Sequence, residues 1–192
     1  MVSTDYAQIG LLLWVFFALR GGLATARVLW LLVAGRVNFA ALDAVVGRLM
    51  SAGNRERALR LARAAPKALV CQLLEVALGE RVSLAPTGEG ANYREGQGDR
   101  DAAARAHLEA KAKTLSAPLE SQLHQAVGLN SVALVGGVWA YRLAAAEGYG
   151  VQLLAVEGAL VVVSAVGFYL VSTLRRDLAR GAASWARYVE PG

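Results

Sequence analysis

Cysteine is almost missing from this chain. Cys71 is the only one in 192 residues, so no internal disulfide can form, and its place in an apolar helical pattern marks it as a small buried hydrophobe. Histidine is scarce as well. His107 and His124 are isolated, with no second ligand at metal spacing, so no metal site is expected. No nucleophile stands in a pattern with a base, which argues against an enzyme, and no organic cofactor is implied. The net charge of +5 comes without any recognisable nucleic-acid module, so no nucleic acid is expected as a partner. Basic residues are themselves missing from two places, Met1–Gln8 and the Glu147–Gly150 turn. The first therefore lacks the basic region of a cleaved signal peptide, and Asp5 precedes the apolar run, so the run is expected to be a retained anchor.

What the chain has in quantity is apolar residues, 56% of the total, concentrated in three runs: Ile9–Val33, Val127–Ala146 and Val151–Leu174. Each is about as long as a bilayer-spanning helix, which needs ~20 residues. Val151–Leu174 is apolar on nearly every face, which suits lipid or a buried bundle. Outside the runs, every lysine and arginine lies in Ala34–Ala126 or after Leu174. The positive-inside rule then orients the chain with its N-terminus outside, a large inside segment, a tight outside turn and its C-terminus inside. The basic excess is read as orientation and attraction to anionic lipid.

The first run is the least regular. Arg20-Gly21-Gly22 and Arg27 interrupt it, and an arginine at mid-bilayer costs at least ~2.5 kcal/mol. Seven residues apart, Arg20 and Arg27 share a helix face. Either that face meets protein, or the helix leaves the membrane near Arg27. Asn38–Met50 reads as a helix with Phe39, Leu42, Val45, Val46 and Leu49 on one side, Ser51–Asn54 as a turn, Arg55–Ala65 as a basic helix stopped by Pro66, and Lys67–Leu78 as a third helix closing a small hairpin. Gly79–Arg100, with five glycines and one proline, reads as a flexible loop. Its glycines lack Walker spacing, which argues against phosphate binding. Asp101–Gln125 resumes as a helix with a Leu108, Leu115, Leu119, Leu123 stripe and a Glu109–Lys113 pair, with a kink expected at Pro118, and runs into the second apolar run. The third continues into Arg175–Val189, a basic amphipathic extension that reads either as a stop-transfer anchor or as a packed helix.

The order of these segments, together with two local stretches, resembles the MotA/TolQ/ExbB proton-channel family. "LMSAGNRERALRLARAAPKALVCQLLEVAL" (Leu49–Leu78) is similar to that family's cytoplasmic helical hairpin. "HLEAKAKTLSAPLESQLHQAVGLNSVALVGGVWA" (His107–Ala140) is similar to its approach to the second span, and Val135-Gly136-Gly137-Val138-Trp139-Ala140 stands where the family has an "lGtVwG"-like motif. The resemblance implies an all-α, three-span protein of a bacterial inner membrane, with a periplasmic N-terminus and a cytoplasmic C-terminus. Its segments would be an anchor (1–35), a cytoplasmic helical region (36–126) with a loop at 79–100, a transmembrane helix pair (127–174) and a C-terminal amphipathic helix (175–192). It further implies a homo-oligomer, a pentamer, forming a pore around a single-span partner of the MotB, TolR or ExbD kind and coupling proton flow to mechanical work. A non-conducting membrane scaffold that anchors a cytoplasmic complex is the alternative.

Glu157 is the foremost proton-path candidate. An ionisable residue inside an apolar helix is a functional hypothesis by default, and it resembles the glutamate that ExbB-like members carry near the start of their third span. Ser164 is the only hydroxyl in the middle of that run. Arg142 is placed to form an ion pair with Glu157 or Glu147 across the short turn. Gly136, Gly137, Gly158 and Gly167 are expected to let helices approach closely. Where the family motif has threonine this chain has Gly137, so its polar lining is thin.

Overall fold

In a computed structural model the backbone is described for residues 3–79, 81–82, 93–146 and 150–191, and side chains for 8–79, 100–138 and 150–189. The described residues are almost wholly helical: α1 (Ser3–Ala34), α2 (Phe39–Ser51), α3 (Arg55–Ala64), α4 (Leu69–Gly79), α5 (Tyr93–Ala146) and α6 (Gly150–Trp185). A short 3-10 turn follows at Ala186–Tyr188, and Arg81–Val82 pairs in parallel with Glu190–Pro191. Two compact units are formed, one from Met1–Leu32 and Leu119–Ser172, the other from Val33–Pro118 and Thr173–Gly192.

Two stretches among the described residues, Gln8–Ser51 and Gly150–Tyr188, contain helices long and apolar enough to cross a membrane. Only 17% and 22% of their most apolar stretches are buried, whereas the core helix of a soluble protein is mostly buried. The expected middle span, Val127–Ala146, runs into residues 139–149, whose side chains lie outside the described set.

Capping chemistry shapes the second unit. Asn38 caps α2, its side-chain oxygen accepting from the Ala41 amide at 3.3 Å. At the other end Gly53, at φ 70°, takes the left-handed conformation that glycine adopts without a Cβ clash. The Gly53 and Asn54 amides return to the Met50 and Leu49 carbonyls at 3.0 and 2.8 Å, closing a Schellman turn. The Arg55 guanidinium then donates to the Leu78 carbonyl at 3.1 and 2.7 Å and to the Tyr188 carbonyl at 3.1 Å. One side chain thereby caps the end of α4 and fastens the C-terminal turn to it.

The core of this unit collects Val46 of α2, Ala58 and Ala62 of α3, Leu73 and Leu74 of α4, Leu108 of α5, and Leu178, Ala182 and Trp185 of α6. Trp185 is fully buried. Its indole N–H donates to Asp43 at 2.8 Å, and its ring meets Phe39 with centroids 5.7 Å apart. The extension after Leu174 is thus a packed helix, the second of the two readings open in its sequence. Cys71 is 2% exposed, and burial pushes its thiol pKa above the ordinary value. An aromatic disulfide reagent at pH 8 should therefore label Cys71 orders of magnitude more slowly in the folded protein than in denaturant. Equal rates would show that this core is open.

Four features add to or differ from the sequence pattern. α1 is one helix through Gly21-Gly22 and past Arg27. α5 begins at Tyr93, inside the stretch read as a loop, and carries Gly96 and Gly98 in its first turns; elongating an existing helix is cheap enough to absorb ~1 kcal/mol per glycine. Glu109 pairs with Arg105 at 2.8 Å, one turn before it, rather than with Lys113. α5 continues as helix through Pro118.

Candidate functional site

The first unit is built on three seams of matching period. Buried positions on α1 are Ala18, Gly21, Thr25, Val28 and Leu32; on this part of α5, Leu123, Ala126, Asn130, Ala133 and Gly137; on this part of α6, Gly150, Leu153, Glu157, Leu160, Gly167 and Val171, with half-buried Ser164 in step. Alternating steps of three and four residues keep one stripe facing its neighbours, as in left-handed coiled coils. Contacts between the stripes set the directions. Trp14 and Glu157 both face Gly137, Thr25 meets Asn130, and Leu123 and Leu29 both face Gly167. α5 therefore runs antiparallel to both α1 and α6.

The seams carry polar groups at two levels. At the first, the Glu157 carboxylate lies directly over the Gly137 Cα, where a Cβ would collide with it, and that Cβ would also come within 3.0 Å of Trp14 Nε1. Glu157 is only 9% exposed. Its Oε1 and the Trp14 Nε1 are both buried without a hydrogen-bond partner among the described residues. The indole can only donate and a carboxylate oxygen can accept, so an orphaned donor and an orphaned acceptor face the same gap. Leaving either unpaired costs ~1–3 kcal/mol.

Seven residues along α6, about 10 Å at the helical rise, lies the second level. Asn130 Nδ2 donates to Thr25 Oγ1 at 3.0 Å and to Ser164 Oγ at 2.9 Å. Thr25 in turn donates to the Gly21 carbonyl at 2.8 Å. Asn130 Oδ1 is buried without a partner among the described residues and rests against Gly21, where no Cβ would fit. Between the two levels lies an apolar layer of Ala18, Ala133 and Leu160.

Of the residues singled out in the sequence, Glu157 and Ser164 face the same interhelix seam, one at each level. Gly137 lies beneath the Glu157 carboxylate, a Cβ on Gly136 would stand 3.7 Å from the Trp14 ring, and one on Gly167 would be crowded by Leu123 at 2.9 Å. A Cβ on Gly158 would meet nothing within 4 Å, and the residue lies on the exposed side of α6. The Arg142 side chain and Glu147 lie outside the described residues. Trp14, Thr25 and Asn130 were missed in the sequence. The available signal was their register: each falls on the three-and-four spacing of its own helix.

Among the described residues no group of three or more histidine, cysteine, aspartate or glutamate side chains could hold a metal ion. No family model matches the chain, and no curated protein or solved structure matches it either.

Proposed function

We propose that this chain is a three-span membrane subunit of the MotA/TolQ/ExbB type. In this reading α1, the Val127–Ala146 part of α5 and the Val151–Leu174 part of α6 cross a bacterial inner membrane, with the N-terminus periplasmic and the C-terminus cytoplasmic. Copies assemble as a homo-oligomer, expected to be a pentamer, around a single-span partner of the MotB, TolR or ExbD kind, and the assembly couples proton flow to mechanical work. No hydrolytic chemistry is assigned to it.

The observation that carries the reading is Glu157: a carboxyl group in the seam of an apolar three-helix unit, with an indole donor that has no partner among the described residues facing the same space. Ionisable groups are kept in such places at a cost and mark ion pathways. Supporting it, the outward faces of α5 and α6 expose Val132, Val135, Val138, Val151, Leu154 and Val162, an apolar surface that lipid, further copies and a partner helix would cover.

One observation favours the alternative of a non-conducting scaffold. The layer of Ala18, Ala133 and Leu160 separates the two polar levels, so a proton moving along the seam inside one subunit has no polar relay across it. Subunit count separates an oligomeric channel from a solitary anchor. Native mass measurement in lipid nanodiscs should give a homo-oligomer of five copies, and a strictly monomeric protein in both lipid and mild detergent would remove the pore model.

A further inference from the structure

Arg20 and Arg27 are exposed, and neither makes a hydrogen bond or ion pair with any described residue. They lie seven residues apart on α1, on the side away from the Ala18–Gly21–Thr25 seam, among Leu13 (53% exposed), Phe16 (54%), Leu23 (71%) and Leu31 (37%). Arg20 is near the middle of the apolar run, about 16 Å along the axis from Ile9 and about 20 Å from Val33. A guanidinium so placed is costly in lipid unless a counter-charge meets it.

A second copy of this chain offers no such counter-charge among the described residues of the same unit. Its carboxylates there are Glu157, which is buried, and Glu120, which is already engaged. From this mismatch we infer that the Arg20/Arg27 face of α1 docks a membrane helix of a different protein, one carrying carboxylates a seven-residue step apart, about 10 Å on a helix. Leu13, Phe16, Leu23 and Leu31 supply the apolar contact on either side of the two charges. The inference rests on reading α1 as a membrane-spanning helix.

The test uses the full chain in phosphatidylcholine vesicles and a synthetic, dansyl-labelled leucine–alanine spanning peptide with two aspartates seven residues apart. A second peptide has asparagine at both places. Energy transfer from the protein's tryptophans should show the aspartate peptide binding about tenfold more tightly, the factor that one to two interhelical polar contacts supply in model membranes. Arg20→Gln combined with Arg27→Gln should abolish the preference while leaving the helical circular dichroism unchanged. Arg20→Glu with Arg27→Glu should transfer it to a peptide carrying two lysines. Equal binding of the two peptides, or a preference that survives in the glutamine variant, overturns the inference. So does loss of the preference when phosphatidylglycerol is added, because lipid phosphate would then be the true counter-charge. Carbonate extraction separates the two levels of failure. A protein that does not insert refutes the membrane reading together with this inference, whereas one that inserts and shows no preference refutes the inference alone.

Discussion

Trp185→Ala will destabilise the helical unit built on α2–α4 by about 3–5 kcal/mol, the range for removing a large aromatic side chain from a packed core. The ring is fully buried, meets Phe39 and belongs to a core that includes Leu73, Leu74 and Leu108, so its removal leaves a cavity that several helices must collapse into. The indole N–H bond to Asp43 at 2.8 Å is lost as well. Trp185→Phe separates these terms. It keeps most of the ring volume and removes a hydrogen bond to a charged acceptor, which is worth ~1.5–3 kcal/mol. Amide hydrogen exchange in α2–α4 reads both. The slowest amides should accelerate by roughly two to nearly four orders of magnitude in the alanine variant, since each ~1.4 kcal/mol is a factor of ten, and clearly less in the phenylalanine variant. Unchanged exchange in Trp185→Ala would mean that the end of α6 is not part of this core.

Gly137→Val should have the largest effect in the other unit. Its Cβ would occupy the space of the Glu157 carboxylate and press on Trp14 Nε1, so the carboxylate, the indole or the helix spacing must give way. Forcing extra volume into a packed interior costs ~1–3 kcal/mol. Here it also evicts the one carboxyl group in the described seam. Gly158→Ala is the matched control one residue beyond Glu157. With nothing within 4 Å, it should stay within ~0.5 kcal/mol of the native protein. Thermal unfolding of the two variants in the same detergent reports the difference. Equal behaviour of Gly137→Val and Gly158→Ala would show that the carboxylate does not lie against Gly137.

The hairpin α2–α4 was legible in the sequence because it follows rules that act locally. Asn38 stands before an apolar stripe, Gly53-Asn54 follows one, and Pro66 closes the next helix. Each signal lies within a few residues of the element it bounds. The start of α5 was not legible, since Gly96 and Gly98 read as loop residues while the cost of a glycine in an already nucleated helix is small. The polar seam was hidden for a different reason. Thr25 and Asn130 are 105 residues apart in the chain, and Asn130 and Ser164 are 34 apart. Each helix shows its own three-and-four spacing, but no single segment shows which level of one helix faces which level of another. Glu157 could be found as a lone carboxyl group in an apolar run. Trp14 could not, because a tryptophan in an apolar run looks like any other apolar residue until its N–H is seen to face the same gap. The two arginines of α1 posed a choice between meeting protein and marking the end of the membrane. The helix continues beyond both, and a helix can do so on either reading, so the choice was not one that the local pattern could make.

Proton flux through membrane vesicles is the most direct measure of the central proposal, that Glu157 serves an ion-driven assembly. Vesicles are prepared from the source cells, with the chromosomal copy encoding either the native chain or Glu157→Gln, a change that keeps size and hydrogen-bonding capacity and removes the titratable proton. Flux that depends on the native chain and falls to the level of its deletion in Glu157→Gln is the predicted result. Flux unchanged by the substitution, in vesicles shown to contain equal amounts of the assembled protein, would contradict it.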